Sequence, residues 1–240
     1  MDSPSPAPDR VTGTALTEQV QALADRPRPG RTPAGRLPRG HLIALAVFAA
    51  IVAVSWWHPR WPAEQALHHS LTVLALAGLL WARWRLRLSL SSFVLVLLFL
   101  TLHTVAARWI YSYVPYEQWW QALTGTVPSG GRNHFDRLVH FGYGLLLAPV
   151  LVQVWRGRGS GRGRAWLQAV QVIVSTGALY ELFEWAIALS LAPDAAEAYN
   201  GQQGDPWDAQ KDMALALLGA ALGATAANLP QLLKSRGLRR

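Results

Sequence analysis

The chain contains no cysteine, and lysine supplies only two of its 22 basic residues, Lys211 and Lys234. The absence of cysteine excludes disulfide bonds, thiolate metal sites and cysteine nucleophiles. Charged residues are also scarce, at 15% of the 240 residues, whereas soluble domains usually carry about 25%. Hydrophobic residues make up 51% of the chain, and twelve residues are tryptophan. This composition predicts a membrane protein.

Two common signatures of hydrolases are missing as well. The sequence has neither a Gly-x-Ser-x-Gly nucleophile elbow nor a His-Glu-x-x-His zinc helix. A Pro-Ser-Gly stretch begins at Pro128, but Gly131 stands where lipid phosphatases of the acid-phosphatase type have a histidine. The sequence therefore does not match these enzyme classes.

Six apolar segments follow an N-terminal stretch rich in proline and arginine. A membrane-spanning helix needs about 20 apolar residues, with a usable range of roughly 17–25. We therefore predict an all-α fold, a polytopic membrane bundle of six transmembrane helices over residues 41–233. A disordered basic tail with a short helix at 15–24 is predicted over residues 1–40, and a short basic tail over 234–240. The segments lie near 41–57, 66–82, 89–110, 137–155, 166–190 and 213–233.

The basic residues predict the orientation of these helices. If the N-terminus is cytoplasmic, all but five of the 22 basic residues lie in the tails and loops of the inner side. Cytoplasmic loops of membrane proteins carry such an excess of arginine and lysine, so both termini are predicted to be cytoplasmic. The same clusters suit anionic lipid headgroups, and we expect the lipid bilayer rather than nucleic acid as their partner. The five outer residues are Arg60, Arg108, Arg132, Arg137 and Lys211.

Ionisable residues interrupt the later apolar segments. Asp136, His140 and Tyr143 follow the spacing i, i+4, i+7, which places them on one face of the fourth helix. Glu181 and Glu184 lie within the otherwise apolar fifth segment. A charge in the bilayer interior costs several kcal/mol unless it is paired or faces a wet cavity, so these residues indicate a functional site.

The predicted topology brings further polar residues to the same layer near the outer surface. Carboxylates and His140 are donors for a hard or borderline divalent metal, and arginine or lysine would hold a phosphate. We assign the catalytic role to Glu181, Glu184, His140 and Asp136. The substrate-binding residues would be Arg108, Arg137, Tyr143 and Lys211, and the metal ligands Asp205, Asp208 and Asp212.

Structural roles explain several of these residues equally well. Asp205 followed by Pro206 is typical of a helix N-cap, and Asn133 is a second N-cap candidate. His140 alone is more often a hydrogen-bonded structural histidine. The whole polar layer could also be an ion-pair network that locks the helices together.

Four segments of the chain resemble the YjdF-type family of bacterial inner-membrane proteins, a family of unknown function. The likeness covers roughly residues 42–232 and implies a multi-pass protein of the inner (cytoplasmic) membrane. A weaker similarity to VanZ-like membrane proteins suggests a role in the cell envelope. The four segments are Arg108–Tyr116, Arg132–Phe141, Tyr180–Trp185 and Gly201–Met213.

Two functional hypotheses follow. The first is an enzyme that acts on a phospholipid or a lipid-linked envelope precursor at the outer leaflet, with a divalent metal and Glu181 or Glu184 as general base. The second is a non-enzymatic membrane protein, such as a carrier, a proton-coupled exporter or an assembly factor, whose polar layer is structural. The sequence leaves the choice between them, the metal and the oligomeric state open.

Overall fold

The computed structural model describes residues 37–127, 131–190 and 203–237. These residues form seven α-helices and, within these ranges, no strand, which confirms the all-α prediction. The short helix predicted at 15–24 lies outside the described residues. The helices are α1 Arg39–Ser55, α2 Pro62–Arg85, α3 Leu90–Arg108, α4 Tyr116–Thr124, α5 Phe135–Gly157, α6 Arg162–Ser190 and α7 Asp208–Gly237.

Six of the helices coincide with the six predicted apolar segments. Four are long and apolar enough to cross a membrane: α3, α5, α6 and residues Asp208–Leu229 of α7. Helix α1 is apolar but has only 17 residues. Helix α2 is less apolar because it contains polar residues, of which Gln65, His68 and Thr72 are buried. The chain is therefore a multi-pass membrane protein with at least four helices of spanning character.

Contacts between helices show that consecutive long helices run in opposite directions. Gln65 near the start of α2 donates to the backbone carbonyl of Ser55 at the end of α1. Ser89 before α3 donates to Gln153 near the end of α5. His140 and Arg137 at the start of α5 lie beside Glu181 of α6 and Asp208 of α7. One end of the bundle thus gathers the ends of α1, α3 and α6 with the starts of α2, α5 and α7. We call it the polar end.

Helices α5 and α7 run side by side in the same direction and approach closely because glycine lines their contact. A β-carbon at Gly144 would lie 2.0 Å from the carbonyl oxygen of Ala216, and one at Gly219 would lie 2.2 Å from that of Phe141. The neighbouring Ala148 and Ala220 are fully buried. Small residues allow helix backbones to meet in membranes. This seam fixes the start of α5 against the start of α7.

The sequence did not predict α4, a short amphipathic helix at the polar end. It stops where Gly125 adopts a left-handed conformation with φ of 72°, which glycine adopts without steric cost. Trp119 and Trp120 on this helix are exposed, and so is Trp57, which follows the end of α1. Exposed tryptophans at helix ends are typical of the headgroup level of a membrane.

Candidate functional site

The starts of α5 and α7 bring two carboxylates and a histidine together in the interior. Asp136 and His140 lie one turn apart on α5, and Asp212 faces them from α7. One side-chain ligand atom from each of the three lies within 4.8 Å of the others. All three residues are buried, and Asp212 is only 2% exposed. This grouping offers the donor types and spacing of a metal site.

Glu181 on α6 extends this group to a third helix. Its Oε1 lies 3.6 Å from Nδ1 of His140, while Nε2 of His140 lies 3.6 Å from Oδ1 of Asp136. The imidazole therefore sits between two carboxylates, at distances longer than a hydrogen bond. We refer to Asp136, His140, Glu181 and Asp212 as the buried acidic cluster.

Two oxygens of the cluster lack hydrogen bonds among the described residues. They are Oε1 of Glu181 and Oδ1 of Asp212, and both are inaccessible to solvent. Buried polar atoms are nearly always hydrogen-bonded, and each exception calls for an explanation such as an ion or a water. Glu184, the other predicted carboxylate of α6, hydrogen-bonds with the Tyr180 side chain.

A second polar group, which we call the rim, covers the cluster on the loop side and consists of Arg132, Arg137, Asp205, Asp208 and Lys211. Arg132 hydrogen-bonds to Asp208, and Arg137 donates to Asp205 at 2.5 Å. Lys211 donates to the same oxygen of Asp205 at 2.6 Å. Each rim charge thus has an opposite charge beside it.

Asp205 shows how the rim and the start of α7 are joined. Its side chain accepts from the backbone N–H of Trp207 at 3.1 Å, so it caps a turn before the helix, which begins at Asp208. Asp205 therefore makes the side-chain hydrogen bond that was predicted for an N-cap, but the helix begins later in the chain than an N-cap at Asp205 would require. The hydrogen bonds from Lys211 and from Trp207 lower the pKa of the Asp205 carboxyl to about 2, which keeps it ionised.

The loop before α5 is held in a similar way. Asn133 Oδ1 accepts from the N–H of Phe135, and His134 rather than Asn133 occupies the N-cap position of α5. Burial and then the nearby guanidinium of Arg137 lower the pKa of His134. Its Nδ1 lies 3.2 Å from Nη1 of Arg137, as expected for a neutral imidazole that accepts a hydrogen bond.

A cavity of about 280 Å³ opens beside the buried acidic cluster. His140 and Tyr143 form one wall, Gly177 and Tyr180 of α6 another, and apolar side chains such as Phe99 much of the remainder. This volume is close to the lower limit of roughly 300 Å³ for small-molecule pockets. The cavity would suit an apolar group, with the cluster at its edge.

The opposite wall carries a polar set for which the sequence predicted no catalytic or binding role. His103 accepts a hydrogen bond from the Tyr111 hydroxyl through Nδ1 and donates from Nε2 to the carbonyl of His68 at 3.2 Å. Ile110 and Tyr111 adopt left-handed φ angles of 40° and 57° to turn Tyr111 back onto α3, which is rare for a β-branched residue. The polar residues Gln65, His68 and Thr72, which are spaced to lie on one face of α2, could have indicated this polar set.

The structure brings together some of the predicted site residues and separates others. Asp136, His140, Glu181 and Asp212 meet in the cluster, and Tyr143 lines the adjoining cavity, where it hydrogen-bonds to Thr176. The rim holds Arg137, Lys211, Asp205 and Asp208. Arg108 lies elsewhere at the polar end, where it donates to the backbone carbonyls of Ser55 and Trp57.

Comparison with known proteins places the chain among membrane proteins. Residues 40–230 match the family described as "Predicted membrane protein (DUF2238)". The chain is also 35% identical over 133 residues to the protein of Escherichia coli (strain K12) called inner membrane protein YjdF. The aligned part covers 53% of this chain and 60% of that relative, less than two thirds of its length. No solved structure matches the chain.

Proposed function

The chain belongs to the DUF2238 family of predicted membrane proteins, and we propose that it binds a divalent cation through Asp136, His140 and Asp212. With this cation it would act on a lipid or lipid-linked substrate of the cell envelope. The observation that carries the proposal is the convergence of three buried ligand atoms within 4.8 Å beside an apolar cavity lined by His140.

The charge balance supports a bound cation. The cluster contains three carboxylates and one imidazole, and the nearest guanidiniums, those of Arg132 and Arg137, already pair with Asp205 and Asp208 of the rim. Like-charged carboxylates in a poorly hydrated site repel one another strongly. Either a cation or bound protons must compensate the excess negative charge, and the unbonded Oδ1 of Asp212 is available as a ligand.

The donor set narrows the choice of cation. Two carboxylates and one imidazole suit zinc, manganese or iron better than calcium, which prefers oxygen ligands alone. Three protein ligands leave coordination positions for a water or a substrate oxygen, as in catalytic rather than structural zinc sites. When bound, such a cation supplies an activated water or polarises a phosphoryl oxygen.

The surrounding residues supply the other requirements of a hydrolase or transferase. Glu181 would act as the general base, and its Oε1 lies 3.6 Å from Nδ1 of His140 and accepts no hydrogen bond among the described residues. The cavity next to His140 would hold the apolar part of the substrate and exclude water from it. Tyr143 lines that cavity and would orient the substrate.

We infer that all six long helices cross the membrane, with both termini cytoplasmic and the polar end facing outward. The alternating helix directions and the basic inner loops support this orientation. The cysteine-free chain makes a direct test simple. A membrane-impermeant maleimide should label Leu123→Cys, on the exposed face of α4, in intact cells. It should label Arg158→Cys, in the loop after α5, only after permeabilisation. The reverse pattern would invert the topology.

The domain boundaries follow from the same inference. Residues 41–233 would form the transmembrane domain, and residues 1–40 and 234–240 the two basic cytoplasmic tails. The similarity to an inner membrane protein supports placement in the bacterial inner membrane.

A second candidate function, a non-enzymatic carrier, exporter or assembly factor, is favoured by the rim. Its paired charges tie the loops before α5 and α7 together and would help to hold the bundle in one arrangement. In that case the buried acidic cluster would carry protons or stabilise the helix contacts without catalysis.

Metal content distinguishes the two functions. The detergent-purified protein should contain about one divalent ion per chain by inductively coupled plasma mass spectrometry. The Asp136→Asn/Asp212→Asn double variant should lose it while eluting at the same volume in size-exclusion chromatography. Asp208→Asn, a matched carboxylate of the rim on the same helix, should retain it. Equal metal content in all three proteins, or none in any, would refute the metal site and favour the second function.

If the metal is present, turnover provides the next test. Glu181→Gln should retain the ion but lose hydrolysis or transfer of the lipid substrates tried, because it removes the base and leaves the three ligands. A variant that loses the ion together with the activity would make Glu181 a ligand instead.

A further inference from the structure

A second cavity lies at the polar end, between the ends of α1 and α3, and has a volume of about 560 Å³. Ile51 and Val54 of α1 and Val105 of α3 supply an apolar floor, and Trp57 and Trp119 stand at its edge. Both tryptophans are exposed, by 73% and 46%. Their exposure places the mouth of this cavity at the headgroup level of the membrane.

Two arginines contact one indole ring here, that of Trp109, which lines the cavity together with Arg108. The guanidinium carbon of Arg60 lies 5.5 Å from the centre of the Trp109 ring, and that of Arg108 lies 5.7 Å from it. Both distances are within the range of cation–π contacts. Two like charges near one ring repel each other, so an anion bound close to both would be stabilising.

No carboxylate of the described residues pairs with either arginine, in contrast to Arg132 and Arg137 of the rim. Arg108 donates instead to the carbonyls of Ser55 and Trp57 at the end of α1. These carbonyls carry the partial negative charge of a helix C-terminus and leave the guanidinium with a net positive charge. They also hold it in a fixed position.

We propose that this cavity binds an anionic phospholipid, with its phosphate at Arg108, where Arg60 adds a second positive charge nearby, and an acyl chain along Ile51, Val54 and Val105. Guanidinium groups bind phosphate through charge-assisted hydrogen bonds. The apolar floor runs from the headgroup level towards the middle of the membrane, as an acyl chain does. The site is separate from the buried acidic cluster and does not depend on the proposed function.

The test compares lipid binding by native mass spectrometry of the full chain in detergent. Phosphatidylglycerol should bind more tightly than phosphatidylcholine with the same acyl chains. Arg60→Gln should weaken phosphatidylglycerol binding about fivefold, the effect of one surface charge near anionic lipid, and Arg60→Gln/Arg108→Gln should abolish the preference. Arg158→Gln is the comparison variant. Arg158 also lies over a tryptophan, Trp155, at 5.2 Å, but in a basic inner loop, so its loss should weaken phosphatidylglycerol binding less than the loss of Arg60.

Arg60 makes the test independent of folding, because its side chain is exposed and does not hold the helix end as Arg108 does. A variant with a filled cavity, Ala53→Phe, should weaken binding of phosphatidylglycerol with both arginines intact. Equal binding of the two lipids, unchanged preference in the double variant, or binding of soluble glycerol phosphate as tight as that of phosphatidylglycerol would each overturn the proposal.

Discussion

The rim and the buried acidic cluster share helices α5 and α7 but balance their charges in opposite ways. In the rim, Asp205 lies within 2.6 Å of both Arg137 and Lys211. In the cluster, His140 lies 3.6 Å from two carboxylates, and no arginine of the part of the chain that the structure describes forms an ion pair with the cluster. The paired charges of the rim fit a structural role, whereas the two buried carboxylates and the partly buried one in the cluster require a ligand or protons.

The largest effect should come from a substitution in the seam between α5 and α7, because this contact positions both the rim and the buried acidic cluster. Gly144→Ala would place a methyl group 2.0 Å from the carbonyl oxygen of Ala216 and force α5 and α7 apart. We expect a loss of at least about 3 kcal/mol of stability, at the upper end for an overpacked core, and loss of bound metal. Thermal unfolding in detergent and metal content measure the two effects.

Gly78→Ala, a glycine of α2 whose β-carbon would meet nothing within 4 Å, is the matched control. It should leave stability unchanged or raise it by about 0.5–1 kcal/mol, since alanine is the better helix former. A Gly144→Ala protein as stable as the control would show that the contact between α5 and α7 adapts and does not fix the site.

The same substitution at two aspartates of α7, one in the rim and one in the buried acidic cluster, should change the stability of the protein differently. Asp208→Asn removes the carboxylate to which Arg132 hydrogen-bonds, although Asp205 stays at 4.0 Å, and should lower stability by about 1–3 kcal/mol. Asp212→Asn removes a carboxylate from the cluster and should leave the metal-free protein as stable as before, or more stable. Thermal unfolding of protein treated with a chelator measures both.

Metal addition sharpens this contrast. It should raise the unfolding temperature of the wild type and of Asp208→Asn, because a ligand that binds only the folded state stabilises it, but not that of Asp212→Asn. Equal destabilisation by the two substitutions would mean that the cluster, like the rim, is a structural ion-pair network.

An intermediate effect is expected when the cavity of about 280 Å³ beside the buried acidic cluster is filled. Gly177 lines it and has nothing within 4 Å of an added β-carbon, so Gly177→Leu should fill the space without disturbing the seam. We expect about a tenfold loss of lipid-substrate turnover, the equivalent of about 1.4 kcal/mol of binding to the apolar group, with unchanged metal content. Full turnover in this variant would place the substrate outside the cavity.

Much of this arrangement was predictable from spacing. The i, i+4 relation of Asp136 and His140 predicted a shared face, and the six apolar segments predicted the six long helices. Which of Asp205, Asp208 and Asp212 lies beside His140 was not predictable, because this depends on the residue at which α7 begins. Since the helix begins at Asp208, only Asp212 reaches the depth of His140.

Two other features depended on tertiary contacts that a single sequence does not contain. Arg108 was predicted to join the other polar groups because its depth is the same. Its position around the bundle is set by the packing of α3 against α1, which turns it towards Ser55. His103 and His68 are brought together by the packing of α3 against α2. The backbone turn at Ile110 and Tyr111, which no sequence motif predicts, adds the Tyr111 hydroxyl.

The smallest effect should come from Lys211, whose side chain is 47% exposed. Its hydrogen bond is the main cause of the low pKa of Asp205, so Lys211→Gln should raise that pKa from about 2 towards the usual 3.8. A depressed pKa contributes stability above the unfolded value, and this is lost as the pH falls through the folded value. The acid unfolding midpoint should therefore shift upward in Lys211→Gln, while metal content at neutral pH stays the same. A change in metal content would show that the rim and the cluster are coupled, and their separation into a structural and a functional region would then fail.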